Sequence, residues 1–232
     1  MVKKLFSVKG YKSLLENLLK EGLIPSTNWT DEIGANTLLL RHDVDFSIEF
    51  AHKLALIESS QGISSTFFVM LTSNMYNLLS GEHQRIVKEI SNMGHKISMH
   101  FDPTVYKDLS SVEYEKNLFE NLFGKKVDII SIHRPGIFLE DNNISLCGIP
   151  QTYNDLYFKQ MKYISDSGGR DVLPKISEYL KGPREKGLHL LIHPIWWVGE
   201  GIDATSTLNY WHKKNIDFIT SEIRSNCKTY KG

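Results

Sequence analysis

The sequence predicts an α/β protein, an irregular (β/α)7 barrel whose parallel strands are joined by helices. Three observations carry that expectation. Strand-like and helix-like segments alternate along most of the chain, the pattern of repeated β-α units. The run Leu38-Leu39-Leu40 is too uniformly apolar for a half-exposed strand and reads as one buried on both faces, as in a parallel sheet. Polar residues collect where the strands finish: Asp43 and Asp45, His100 and Asp102, His133 and Arg134, Asp166, and His193. In a parallel barrel those ends share one rim, the side on which such folds build their sites.

Length and composition narrow the class. A chain of 232 residues suits one large α/β domain, and 41% hydrophobic with 23% charged residues is ordinary for a soluble globular protein. The 27 basic residues equal the 27 acidic ones, so no net field advertises nucleic acid or an anionic membrane. No stretch approaches the roughly 18 apolar residues of a membrane span. Residues 1–22 have two early lysines but only short, interrupted apolar runs, so they lack a signal-peptide core and a cytoplasmic location is expected. Cys147 and Cys227 stand alone, without a CxxC pair or a disulfide framework.

The elements follow in order. An amphipathic helix is expected near residues 11–21, then a connection rich in turn formers over 24–36. The organising strand ends at Asp43-Val44-Asp45, and a helix over 47–60 stops at Gly62. Residues 65–70, β-branched and aromatic, form the second strand. A long loop, of the kind that often carries function, leads to a helix over 83–93. The third strand spans 95–103 and puts Ser98 and His100 on one face. A helix over 110–124 precedes the fourth strand, 127–136, which runs into His133-Arg134-Pro135-Gly136. Short strands are expected at 148–154 and 161–169, a helix near 172–181, and a seventh strand at 188–197. The last helix, 204–226, carries Leu208, Trp211, Ile216, Ile219 and Ile223 on one apolar face.

The chemistry begins with the two aspartates. Strand side chains alternate, so Asp43 and Asp45 project to the same side. Two like charges there repel unless a cation or a shared proton compensates. The competing structural role is an N-cap for the following helix, which Asp45 or Ser47 could fill. Carboxylate plus imidazole at several strand ends is the donor mix expected for zinc, and it also suits iron, cobalt or nickel. Asp166, before Gly168 and Gly169 that let a ligand approach, is placed to fix the tautomer of His193. Trp196 and Trp197 offer either a platform for a sugar ring or ordinary packing. No GxGxxG or P-loop is present. The remaining histidines, 42, 52, 83, 95, 189 and 212, read as structural.

The segments RHDVD (41–45), HFD (100–102), HRPG (133–136) and IHPIWW (192–197) resemble the polysaccharide deacetylases of the NodB-homology class, the fourth carbohydrate-esterase family, in a divergent intracellular branch. The resemblance covers roughly residues 38–200. It implies a deacetylase-like barrel with Asp43 as general base, Asp45 as metal ligand, His100 as the first metal histidine, Arg134 as the residue that orients the base, and His193 as general acid. It further implies one divalent metal ion, zinc foremost, and hydrolysis of the N-acetyl group of an amino sugar. One position departs from the family. Thr104 stands where a second metal histidine is expected, which leaves His133 or Asp102 to supply the third ligand; His133 is preferred. Without an export signal, the expected substrate is a small sugar or sugar nucleotide of surface-glycan synthesis, with no nucleic-acid partner and no membrane insertion. Two other readings remain: a metal- or sugar-binding barrel without hydrolysis, and an amidohydrolase on a non-sugar substrate.

Overall fold

Strand β2 (Thr37–Val44) is the spine of the sheet, and its sequence accounts for that place. Seven of its eight residues are buried, as a strand covered on both faces requires. The computed structural model describes residues 6–29, 33–139 and 144–232. In it β2 pairs in parallel with β3 (Thr66–Val69) on one edge and with β7 (Leu188–Ile192) on the other. β4 (Lys96–Phe101) and the short β5 (Ile130–Ile132) extend the sheet beyond β3, and β6 (Lys162–Ser165) extends it beyond β7. The order is β5-β4-β3-β2-β7-β6, every pairing is parallel, and β1 (Ile24–Pro25) lies beside the first residues of β2.

Alternation along β2 divides the core in two. Leu38, Leu40 and Val44 join the large cluster under the helices. Leu39 faces the other way, into a smaller cluster with Trp29, Phe68, Ile129, Tyr157 and Met161 that fills the inside of the curled sheet. The helical layer comprises α1 (Val8–Lys20), α2 (Ile48–Ser59), α3 (Gly81–Asn92), α4 (Ser111–Phe123) and α5 (Leu173–Lys181). The short α6 (Pro194–Val198) and the long α7 (Ala204–Asn226) complete it. Ser47 caps α2 by accepting the Phe50 amide proton at 3.1 Å, so the cap role does not fall to Asp45. Among the described residues no helix is long and apolar enough to cross a membrane.

Several expectations are corrected. The fold class itself holds, an α/β barrel-like fold whose sheet is a curled half-barrel: among the described residues the edge strands β5 and β6 do not pair with each other. Residues 148–154 form no strand; Gln151 makes an isolated bridge to Ile130, between Pro150, which has no amide proton, and the turn that follows. The segment 24–36, read as a connection, contributes β1. The seventh strand stops at Ile192, and Trp196 and Trp197 lie in α6, where Pro194 occupies the helix start that tolerates it. Gly169, at φ 74°, makes room for the start of α7 and not for a ligand: a Cβ there would lie 2.8 Å from that of Ala204. In α7, Leu208 and Trp211 pack on the core while Ile216, Ile219 and Ile223 are exposed.

Candidate metal centre and acid–base site

The inward-facing residues of β2 after Leu39 are Arg41 and Asp43, with Asp45 one step past the strand end. Arg41 is fully buried and grips Asp43 with two hydrogen bonds, Nε to Oδ1 at 2.8 Å and Nη2 to Oδ2 at 2.6 Å. Such a bidentate fork is among the stronger side-chain interactions in a dry interior. Its guanidinium carbon lies 4.9 Å from the ring centroid of Tyr153 and 5.7 Å from that of Phe68, which helps to hold the cation out of water. Burial pushes the Asp43 carboxyl upward, but Arg41, then His100, outweigh it and bring its pKa down to about 2. Asp43 is therefore ionised at neutral pH.

Asp45, His100 and His133 come from three places: the end of β2, the inner face of β4, and the turn after β5. One donor atom from each lies within 4.8 Å of the others. His100 Nε2 is 3.2 Å from Asp45 Oδ1 and 3.2 Å from His133 Nδ1, and His133 Nδ1 is 3.5 Å from Asp45 Oδ1. Asp45 Oδ1 is shielded from water, yet neither imidazole nitrogen meets it at a hydrogen-bonding angle. A carboxylate oxygen and two imidazole nitrogens that converge in this way fit a divalent cation better than they fit one another. Against the upward push of burial, His100, His133 and His193 hold Asp45 well below the usual carboxylate range. His133 lies one residue past β5 on the parity of Ser131, and the chain then turns at Arg134, whose backbone is left-handed, φ 49°, directly before Pro135.

The third group stands across the cleft. Asp166, with no exposure, accepts from His193 Nδ1 at 2.6 Å, from the His193 backbone amide at 3.0 and 3.1 Å, and from Trp197 Nε1 at 2.9 Å. This orients the imidazole and leaves Nε2 toward the cleft, 3.7 Å from Asp45 Oδ2. Burial disfavours a charged His193, but Asp166, with Asp45 and Asp43 behind it, raises its pKa to about 9. Asp43, Asp45, Phe46, His193 and Pro194 line a narrow crevice between these groups.

Most sequence-predicted residues thus meet at one rim, and two assignments change. Arg134 is exposed and makes no ion pair with Asp43; past the end of β5 its left-handed backbone turns it away from the rim. Arg41 occupies the place expected for it. Trp196 and Trp197, at 5% and 1% exposure, offer no platform to a sugar. Trp197 packs against Phe6 and Tyr11 and spends its indole proton on Asp166. Asp102 is not the third ligand in this arrangement, since its Oδ1 accepts from both the amide and the hydroxyl of Thr104. Arg41, Ser131 and Tyr153 were not anticipated. Arg41 shares the parity of Asp43 and Asp45, a signal present in the sequence; the other two depend on strand register and on a loop.

No protein-family profile matches the chain, and no curated protein sequence does. Solved structures give matches. The chain is similar to polysaccharide deacetylases. Peptidoglycan deacetylase PdaC from Bacillus subtilis is 11% identical, with 87% of this chain and 100% of that one covered and a TM-score of 0.49. Chitin deacetylase from the fungal pathogen Colletotrichum lindemuthianum is 15% identical, with coverages of 82% and 83% and a TM-score of 0.48. A carbohydrate esterase family 4 pseudoenzyme from Bacillus anthracis is 12% identical, with 76% of this chain covered and a TM-score of 0.44, and the match spans 60% of that protein's length.

Proposed function

We propose that the protein is a metal-dependent amide hydrolase that removes an N-acetyl or related acyl group from a small amino sugar or sugar nucleotide. One observation carries the reading: a donor set suited to a divalent ion adjoins both an arginine-held carboxylate and a carboxylate-held imidazole. Asp45, His100 and His133 would hold the ion, zinc foremost, which supplies polarisation of the acyl carbonyl and acidification of water. Asp43, kept ionised and aligned by Arg41, accepts the proton of the attacking water. His193, with Nδ1–H fixed on Asp166, enters protonated and gives its Nε2 proton to the leaving amine. Phe46 supplies an apolar wall beside these groups.

The sugar and the acyl amide rest on the motif resemblance, and the hydrolytic chemistry is supported by the geometry. The test is release of acetate and free amine from a panel of acetamido sugars and their nucleotide conjugates by metal-loaded protein. Wild type is expected to release both in equal amounts. Stoichiometric metal with neither product from any substrate would favour the binding-protein reading.

A further inference from the structure

We infer that Ser131 is a positioning residue that fixes the ring proton of His100 on Nδ1 and ties that metal ligand to the base Asp43. This rests on the metal-dependent reading of the rim. Ser131 sits on the inner face of β5 and is the register partner of His100 on β4, so the two side chains project together. Its hydroxyl touches three groups: Arg41 Nη2 at 2.6 Å, Asp43 Oδ1 at 3.0 Å and His100 Nδ1 at 2.9 Å.

Around Ser131, proton counting leaves one arrangement in which no two acceptors face each other. Arg41 can only donate, and ionised Asp43 can only accept. The hydroxyl has one proton. If that proton went to His100, two acceptors, Ser131 Oγ and Asp43 Oδ1, would face each other at 3.0 Å in a site with no exposure at Ser131. That arrangement is costly in a dry interior. The proton therefore goes to Asp43, and Ser131 Oγ accepts from Arg41 and from His100. His100 must then carry its proton on Nδ1. The neutral ring is left with its lone pair on Nε2, the atom 3.2 Å from both Asp45 Oδ1 and His133 Nδ1. A hydrogen bond to the far nitrogen of a ligating histidine sets ring orientation and ligand strength, and its loss typically costs about 10–100-fold in metal affinity. Here the same hydroxyl also fills a lone pair of the base, so the two halves of the site are set by one side chain.

The test separates tautomer from metal. In metal-free protein, two-bond ¹H–¹⁵N correlation spectra of neutral His100 should show the Nδ1–H form in wild type and in Ser131→Thr, which keeps the hydroxyl. Ser131→Ala should give a mixture with the Nε2–H form. Zinc or cobalt(II) affinity should fall about 10–100-fold in Ser131→Ala and recover in Ser131→Thr. Ser131→Cys, with a weak donor, should fall between them and serves if the alanine protein does not fold. An Nε2–H tautomer in wild type, or an unchanged tautomer and affinity in Ser131→Ala, would overturn the inference. If wild type shows the Nδ1–H form but binds no metal, the metal reading fails, and with it the claim that the tautomer serves a ligand.

Discussion

The two faces of β2 carry two buried polar clusters of similar composition and opposite character. On the inner face Asp43 and Asp45 meet Arg41, His100, His133 and His193. On the outer face His42 points into the helical layer, where its Nε2 lies 2.7 Å from Glu58 Oε1. Tyr11 also donates to Glu58 Oε1, while Ser65 donates to Oε2 and His95 Nδ1 lies 3.6 Å from that oxygen. No member of this second cluster is more than 3% exposed, whereas the Asp45, His133 and His193 side chains retain 18%, 17% and 11% exposure. Both oxygens of Glu58 have partners of opposite or donating character, and His42, then His95, hold its carboxyl below the usual range against burial. Asp45 Oδ1 has no hydrogen-bonding partner, and the rest of the Asp45 side chain reaches solvent. Composition alone does not separate a core staple from a reactive site. Access, and an acceptor left without a proton donor, do.

The largest expected effect is on the inner face. Asp43→Asn keeps the shape but removes the proton acceptor, so turnover should fall about 100- to 10,000-fold, with metal content on the same samples unchanged. Turnover at the wild-type rate would dismiss Asp43 as the base. On the outer face the effect should appear in stability. Glu58→Ala leaves His42, Tyr11 and Ser65 buried without their shared partner and should cost about 3–5 kcal/mol in denaturant unfolding. A loss below about 1 kcal/mol would mean that Glu58 is not the staple described. A smaller effect concerns Glu115, 1% exposed on α4, whose carboxyl has no cation among its described neighbours. Burial, opposed by Tyr106 and aided by Asp102, raises its pKa from 4.5 to about 7. A carboxyl raised on folding contributes stability that is full below about pH 4.5 and is lost as pH climbs through 7. Glu115→Gln should therefore be more stable than wild type above neutrality by about 1–3 kcal/mol, with the gap closing below pH 5. A gap independent of pH would rule this out.

How much of this was legible in the sequence depended on whether the signal was local. The Leu38–Leu40 run, the period-two placement of Asp43 and Asp45, and the alternation of strands with helices are local, and the sheet follows them. His133 and Arg134 are adjacent, but only His133 keeps the inward parity of Ser131; Arg134, past the end of β5, turns away with a left-handed backbone, although the motif resemblance pointed to it as well. Arg41 carried the parity signal but read as a flank of the motif. Ser131 carried none, because a lone serine gains its role only from the register that sets it beside His100. The absence of a strand at 148–154 has a local cause in Pro150, whereas the burial of Trp196 and Trp197 was decided by tertiary packing, to which residue type and spacing are blind.

The central claim is that the inner-face cluster holds a divalent ion and the outer-face cluster does not. The direct measurement is metal stoichiometry, by elemental analysis of untagged protein dialysed against trace zinc. The account predicts about one equivalent per chain in wild type and in His42→Gln on the outer face, and close to none in Asp45→Ala and His100→Ala. Metal retained in full by both of those variants, or lost only on changing His42, would contradict it.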